Sequence, residues 1–173
     1  MKDWIKPILE LGACRDALEW AESYDSLDEA WAACERGDRM LWLAGRLAGP
    51  PRTKSRRKLV LTACPCARLA LPYVPKGEMR PLKAMETAEA WARQEPGITL
   101  RDVREVTYAA FEAYAAANAA YTAAYAANAA ANAAAYAANA ANAARRKEIQ
   151  HQCADIVREH YPRPPILKQR REV

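Results

Sequence analysis

Residues 107–144 read TYAAFEAYAAANAAYTAAYAANAAANAAAYAANAANAA, and 24 of these 38 residues are alanine. Alanine has the highest helix propensity of all residues and loses no side-chain entropy in a helix. Neither glycine nor proline interrupts the stretch, which therefore predicts a long helix. Its methyl surface would let neighbouring helices approach near the short end of the ~8–10 Å range of interaxial distances.

From Phe111 to Asn142, the single phenylalanine and then tyrosine and asparagine recur at steps of three or four, which places them on one stripe of a helix. We call this the Tyr/Asn stripe, and its candidate partner-binding residues are Tyr114, Tyr121, Tyr125, Asn128, Asn132, Tyr136 and Asn139. Two interpretations are open. The stripe is either a buried seam in which tyrosine fills the space between helices, or an exposed recognition face of polar-tipped rings.

Capping patterns predict where two further helices begin. Ser26 with Glu29, and Thr99 with Asp102, have the spacing of a capping box, in which two side chains satisfy free backbone N–H groups. The first pattern predicts a helix up to Cys34, and the second predicts the helix that leads into the alanine run.

Glycine and proline suggest further boundaries. Gly37 is expected to stop one helix, and Asp38 is expected to cap the next helix over residues 39–48. Pro81 suits the first turn of a helix over residues 82–94. In that helix the spacing of Met85, Ala88 and Trp91 predicts a buried stripe.

No alternating strand pattern with hairpin signals occurs, so the sequence predicts an all-α protein. We expect one helical domain over residues 1–173, a multi-helix bundle around a central Ala-rich helix or helical hairpin. Residues 161–173 are expected to form an extended, Pro-rich basic tail. An unbroken helix over residues 100–160 would span ~90 Å, too long for a compact domain, so we expect a turn at an asparagine.

The charge is distributed unevenly along the chain. Residues 1–38 contain ten acidic side chains and four basic ones, a net charge of −6, whereas the whole chain carries +5. A basic cluster follows at Arg52, Lys54, Arg56, Arg57 and Lys58, which the sequence places in a loop and at the start of a helix over residues 56–71. Such a cluster can contact phosphates, but solvated loop charge is its commoner role, and nucleic acid ranks low among the expected partners.

Residues able to carry catalysis are few. No Gly-rich phosphate loop, nucleophile elbow or paired-histidine zinc motif occurs, so we expect no enzyme, no cofactor and no metal. Glu148, His151 and Asp155 share a helix face but form only half of a di-iron motif. An odd count of five cysteines, with no signal peptide and no apolar span, predicts reduced thiols in a cytoplasmic protein that does not enter a membrane.

Six stretches carry a resemblance to a known family: CRDALEW (14–20), AW (30–31), CERGDRMLWL (34–43), ACPCARLAL (63–71), ETAEAWA (86–92) and RRKEIQHQCADIVR (145–158). Together they resemble the all-helical family numbered five among the immunity proteins of bacterial polymorphic toxin systems, which phages also encode. The resemblance implies a helical inhibitor that binds and neutralises a toxin. It transfers no catalytic or binding residue to this chain.

We therefore expect a non-catalytic interaction protein, an immunity-type inhibitor that occludes a toxin or effector protein. The alternative is a phage-type counter-defence sponge that binds a small nucleotide or another ligand through the Tyr/Asn stripe, with rings stacking on bases. The sequence leaves open the identity of the partner and whether the chain forms oligomers.

Overall fold

The computed structural model describes residues 1–74, 76–109 and 132–166, and for Tyr73 and residues 132–142 it describes the backbone alone. All regular secondary structure in these ranges is helical, which confirms the predicted all-α class. The helices are α1 (Lys6–Glu10), α2 (Arg15–Ala21), α3 (Leu27–Ala33), α4 (Gly37–Leu47), α5 (Lys54–Arg68), α6 (Arg80–Ala92), α7 (residues 100–109) and α8 (Asn132–His160). Short 3-10 helices cover Asp3–Ile5 and Leu71–Tyr73.

Contacts divide the chain into two compact units. The first unit contains Met1–Ala63 and Gln150–Val173, and the second contains Cys64–Ile149. The boundaries between the units fall inside α5 and α8. Residues 161–166, which follow α8, have no regular secondary structure, and the rest of the expected tail lies outside the described residues.

In the first unit, α3 begins with the predicted capping box. The Ser26 hydroxyl accepts a hydrogen bond from the Glu29 N–H at 3.2 Å, as the sequence predicts. The Glu29 carboxylate accepts from the N–H of Asp25 at 2.9 Å, one residue before the cap. Both partners thus satisfy backbone donors at the helix start.

The start of α4 differs from the prediction. Gly37 is the first residue of α4 rather than a stop, and Asp38 lies in its first turn, where its side chain pairs with Arg36. The Asp38 N–H donates instead to Oε1 of Gln150 on α8 at 3.0 Å. A Cβ on Gly37 would lie 2.7 Å from the backbone carbon of Cys153, so glycine is needed here for a close helix contact.

The fully buried side chains of the first unit come from the first 3-10 helix, α4, α5 and α8. Ile5, Met40, Thr62 and Val157 are fully buried, and the Thr62 hydroxyl donates to the Lys58 carbonyl at 2.9 Å. Arg158 on α8 donates to the carbonyl of Cys34 at 2.7 Å, where α3 has just ended. A cation at a helix C-terminus satisfies free carbonyls and complements the helix dipole.

Two arginines of the basic cluster form hydrogen bonds to backbone carbonyls within the first unit. Helix α5 begins at Lys54, so part of the expected loop is helical. Arg56 donates to the carbonyls of Ala48 and Gly49 at 3.1 and 3.0 Å, beyond the end of α4. Arg57 donates to the Arg52 carbonyl at 2.9 Å. These bonds fix the turn between α4 and α5.

In the second unit, α6 starts as predicted, with Pro81 in its first turn. The buried stripe, however, consists of Met85, Glu89 and Ala92, whereas Ala88 and Trp91 are only half-buried. The steps of four and three from Met85 to Ala92 follow the 3.6-residue period and stay on one face. The two steps of three from Met85 to Trp91 instead place Trp91 about 120° around the helix from Met85. The predicted stripe was therefore wrong in two of its three members.

Glu89 is a buried charge that two arginines neutralise. Its carboxylate accepts from Arg68 on α5 at 2.8 Å and from Arg93 at 3.4 Å. A buried carboxylate is tolerated only when it is paired and hydrogen-bonded. The ion pair with Arg68 joins α5 to α6 within this unit.

Helix α7 begins with the second predicted capping box. The Asp102 carboxylate accepts from the Thr99 N–H at 2.7 Å, and the Thr99 hydroxyl accepts from the Asp102 N–H at 3.4 Å. The turn expected at an asparagine does not fall at Asn139 or Asn142, because α8 runs through both. Most of the alanine run lies in residues 110–131, outside the described residues, so its central position and a turn at another asparagine stay predictions.

Candidate functional site

The sequence-predicted site falls mostly outside the described residues. Four of its seven residues lie outside the described ranges, namely Tyr114, Tyr121, Tyr125 and Asn128. Asn132, Tyr136 and Asn139 lie on the helical backbone of α8. The Tyr/Asn stripe, as seam or as recognition face, stays a prediction.

The described residues contain a different candidate, a cavity formed by the first four helices. Its volume is about 380 Å³, and four of the chain's five tryptophans line it: Trp4, Trp20, Trp31 and Trp42. Each indole comes from a different element, namely the first 3-10 helix, α2, α3 and α4. We call it the tryptophan cavity. Sequence reasoning missed this convergence because the four residues show no shared spacing along the chain.

Trp31 forms a fixed wall of the tryptophan cavity. It is buried, and its indole N–H donates to the backbone carbonyl of Tyr161 at 2.9 Å. The ammonium of Lys58 lies over the Tyr161 ring, 4.4 Å from the centroid. This cation–π contact joins α5 to the residue that follows α8, and so supports the acceptor of the Trp31 hydrogen bond.

Trp20 is held by contacts to its ring. The Tyr24 ring packs against it at a tilt, with centroids 4.9 Å apart. The guanidinium of Arg39 on α4 lies 5.6 Å from the Trp20 centroid, within cation–π range. The Trp20 ring therefore forms a cation–π contact with an arginine of α4.

Trp4 carries a buried donor without an acceptor. Among the described residues, its Nε1 is the one buried side-chain nitrogen or oxygen that has no hydrogen-bond partner. Leaving a buried N–H unsatisfied costs about 1–3 kcal/mol, and native proteins contain few such groups.

Four charged residues also line the tryptophan cavity: Asp16, Arg36, Asp38 and Arg39. Arg36 and Asp38 pair through two hydrogen bonds of 2.8 and 2.6 Å. This pairing lowers the pKa of Asp38 and raises that of Arg36. Within the part of the chain that the structure describes, Arg39 and Asp16 form no ion pair.

A second candidate is the acidic surface, defined as the ten carboxylates of residues 1–38: Asp3, Glu10, Asp16, Glu19, Glu22, Asp25, Asp28, Glu29, Glu35 and Asp38. All ten are exposed. Five of them form ion pairs with the cations of the same segment, namely Lys2, Lys6, Arg15, Arg36 and the Met1 amino group. Each cation of residues 1–38 thus has a carboxylate partner. The other five carboxylates have no ion pair with any described residue.

The residues considered for metal or acid–base chemistry do not converge. No group of three or more His, Cys, Asp or Glu side chains in the described ranges could hold a metal ion. Nε2 of His151 lies 3.9 Å from the Asp155 carboxylate, which pairs more closely with Arg158 at 2.6 Å. Arg158 lowers the pKa of Asp155. Asp155 is thus held as an anion in a structural contact.

All five cysteines lie in the described ranges and none of them forms a disulfide; Cys14 is exposed, and the other four are buried. Burial raises the pKa of Cys34, and it raises that of Cys64 to about 11. A thiolate is the reactive form, so at neutral pH these two thiols are poor nucleophiles.

Comparison with protein-family models, curated proteins and solved structures finds no match to this chain. No helix among the described residues has both the length and the apolar character that spanning a membrane requires. The chain is thus an all-α protein with a tryptophan cavity and an acidic surface.

Proposed function

We propose that this protein is a non-catalytic interaction protein that binds a basic protein partner through its acidic surface. In this proposal it acts as an immunity-type inhibitor, which neutralises a toxin or effector by covering its working surface. The observation that supports the proposal is the exposure of all ten carboxylates within residues 1–38, five of them without an internal cation.

The uncompensated charge is what a basic partner would recognise. Opposite potentials across an interface steer two proteins together and suppress wrong partners. Glu10, Asp28 and Glu35 belong to the five carboxylates without an ion pair, and none of them lines the tryptophan cavity. These three are available to a partner's lysines or arginines at no cost in internal contacts.

Apolar side chains near this charge supply candidate anchors. Leu9 is 44% exposed and precedes Glu10, and Met1 is 61% exposed. Interfaces combine a small apolar centre with a charged rim, and most of the binding free energy comes from the centre. Leu9, next to Glu10 in the sequence, and Met1, whose amino group pairs with Glu22, are therefore the residues proposed for such an apolar centre.

The proposal is tested with a triple variant of E10Q, D28N and E35Q. Tagged wild-type protein and the variant are used to capture partners from a lysate of the source cell, and captured proteins are identified by mass spectrometry. We expect the wild type, but not the variant, to retain a basic protein at low salt. Added salt should release this protein from the wild type, because salt screens the same attraction that the substitutions remove. The purified partner should lose its activity when wild-type protein is added.

The matched control carries E86Q and E159Q, which remove exposed carboxylates outside residues 1–38 that have no ion pair among the described residues. It should capture the partner as the wild type does. Equal capture by wild type and triple variant would show that the acidic surface is not the binding surface. A captured partner whose activity is unchanged by the protein would reject the inhibitor role.

A further inference from the structure

Two residues that line the tryptophan cavity have an unmet requirement among the described residues: the buried indole N–H of Trp4 has no acceptor, and Arg39 has no ion pair. We propose that the cavity is a binding site for a small planar aromatic anion, such as an aromatic carboxylate. This inference goes beyond the proposed partner binding, because it concerns a separate site and a ligand of a different class.

The cavity suits a ligand of this size and shape. Small-molecule sites have volumes of roughly 300–1,000 Å³ and are mostly apolar, with a few placed polar groups. At about 380 Å³ the tryptophan cavity lies near the small end of that range. Indole rings on four different elements offer flat apolar walls, and aromatic rings pair favourably in offset-stacked or edge-to-face arrangements.

The free donor of Trp4 defines the first polar requirement. Its buried Nε1 has no acceptor among the described residues, whereas Trp31 donates to the Tyr161 carbonyl at 2.9 Å. This N–H is closed to solvent in the structure, so a ligand oxygen reaches it only if the Trp4 ring turns, and the hydrogen bond then removes the cost of leaving it unsatisfied. The ligand must therefore carry a hydrogen-bond acceptor.

Arg39 defines the sign of the ligand's charge. It is half-buried, lines the cavity, and forms no ion pair among the described residues. By contrast, the other arginine of the cavity, Arg36, is neutralised by Asp38 through two hydrogen bonds. A carboxylate in the cavity would supply the anion that Arg39 lacks, and charge-assisted hydrogen bonds of this kind are among the strongest in proteins.

An aromatic cage for a cation is the competing interpretation. Such cages place a quaternary ammonium over the faces of aromatic rings. Here the Arg39 guanidinium already lies over the Trp20 ring, 5.6 Å from its centroid, and its charge would repel a second cation. The one unpaired carboxylate of the cavity, Asp16, is exposed to solvent, so its attraction for a cation is weakened by water.

Three probes of one ring system separate these cases: naphthaleneacetate, its neutral amide naphthaleneacetamide, and a naphthylmethyl trimethylammonium cation. Each is titrated to millimolar concentration into full-length protein with ¹⁵N-labelled tryptophan. The chain has five indole N–H signals, and that of Trp4 is assigned as the one missing from W4F. We expect the anion to shift the Trp4 signal, the amide to bind several-fold more weakly, and the cation not to bind.

Two variants and a control complete the experiment. W4F keeps an aromatic ring but removes the N–H, and R39Q removes the charge. Each should weaken naphthaleneacetate binding by about tenfold, the usual effect of losing one hydrogen bond to a charged group. W91F changes the one tryptophan outside the cavity and should bind the anion as the wild type does.

The proposal is overturned if none of the probes moves the Trp4 signal, or if the cation binds as tightly as the anion. It is also overturned if naphthaleneacetate binds W4F and R39Q with wild-type affinity, because the two groups on which the argument depends would then play no part. Circular dichroism of both variants, compared with W91F, shows whether a loss of binding reflects a loss of folding. If it does, the Trp4 signal is assigned in the wild-type protein by triple-resonance NMR instead, and its response to the three probes decides alone.

Discussion

The indole N–H of Trp31 donates to the backbone carbonyl of Tyr161 at 2.9 Å, so one hydrogen bond joins residues 130 positions apart in the sequence. It connects α3 to the segment that follows α8, at the place where Arg158 also donates to the Cys34 carbonyl at 2.7 Å. The two bonds hold the C-terminal end of α8 against α3 within the first unit. They also fix one wall of the tryptophan cavity.

Replacing Trp31 with phenylalanine should therefore destabilise the protein by about 1–3 kcal/mol. The change removes the hydrogen bond and leaves space around a smaller buried ring. Urea unfolding followed by circular dichroism measures the free energy of unfolding. W91F is the matched control, since Trp91 is half-buried and donates no hydrogen bond to a described residue. An equal or smaller loss in W31F than in W91F would contradict the role of the Tyr161 contact.

The two glycines of α4 should respond oppositely to alanine. A Cβ on Gly37 would lie 2.7 and 2.8 Å from backbone atoms of Cys153 and Ala154, which cannot move aside as a flexible side chain can. We expect G37A to destabilise the protein by about 1–3 kcal/mol, because the helices must separate. A Cβ on Gly45 would meet only the Leu59 side chain, at 3.7 Å.

G45A is expected to stabilise the protein by about 0.5–1 kcal/mol, since alanine costs less conformational entropy in a helix interior. Thermal melts of both variants against wild type provide the measurement. If both changes stabilise the protein, the close contact between α4 and α8 is absent in solution.

The ion pairs of Glu89 should differ in strength. R68M should cost about 1–3 kcal/mol, because Arg68 lies 2.8 Å from the buried carboxylate and is itself only 33% exposed. R93M should cost less, because Arg93 lies at 3.4 Å and is 55% exposed. Chemical unfolding of the two variants gives the comparison. A reversed order would mean that Arg93 is the main counter-charge of Glu89.

Burial of Cys64 should make stability fall at alkaline pH. Its pKa is raised from 9.0 to about 11, chiefly by burial, with a further contribution from Glu89. Below pH 9 the thiol is protonated in both folded and unfolded states and contributes nothing to the pH dependence. Between pH 9 and 11 the unfolded state loses its proton first, so the free energy of unfolding falls, by about 2 kcal/mol over this interval.

The measurement compares wild type with C64A by urea unfolding at pH 8 and pH 10.5. The loss between the two pH values should be smaller in C64A, because the buried thiol no longer contributes. The control C14S removes an exposed thiol and should retain the wild-type loss. Identical pH dependence in wild type and C64A would show that Cys64 titrates in the folded state as it does in the unfolded chain.

Local patterns in the sequence predicted the class of the fold and several helix starts. The capping boxes at Ser26 and Thr99 and the proline at the start of α6 are confirmed, because each depends on residues within one turn of each other. Periodicity alone excluded strands for the described ranges. The immunity-type role, the cytoplasmic location, the single domain and the Tyr/Asn stripe stay predictions.

Of the two candidate sites, one could be predicted from the sequence and the other could not. The acidic surface was visible in the sequence, because an excess of carboxylates within 38 residues cannot all be paired locally. The tryptophan cavity was not, because Trp4, Trp20, Trp31 and Trp42 meet only after four helices have packed. Which indole N–H finds an acceptor depends on a carbonyl far away in the chain, and no spacing rule contains that information.

The sequence by itself determined the all-α class and the capped starts of α3 and α7, through propensity, capping and the 3.6-residue period, all of which act over a few residues. Tertiary structure decided the rest. Gly37 looks like a helix stop in the sequence, but it begins α4, because Gln150 satisfies the N–H of Asp38 and Cys153 lies where a side chain would be. Glu89 is polar but buried, because Arg68 and Arg93 neutralise it. In both cases a partner distant in sequence stabilises an arrangement that the local sequence alone would not favour, and only packing brings that partner into contact.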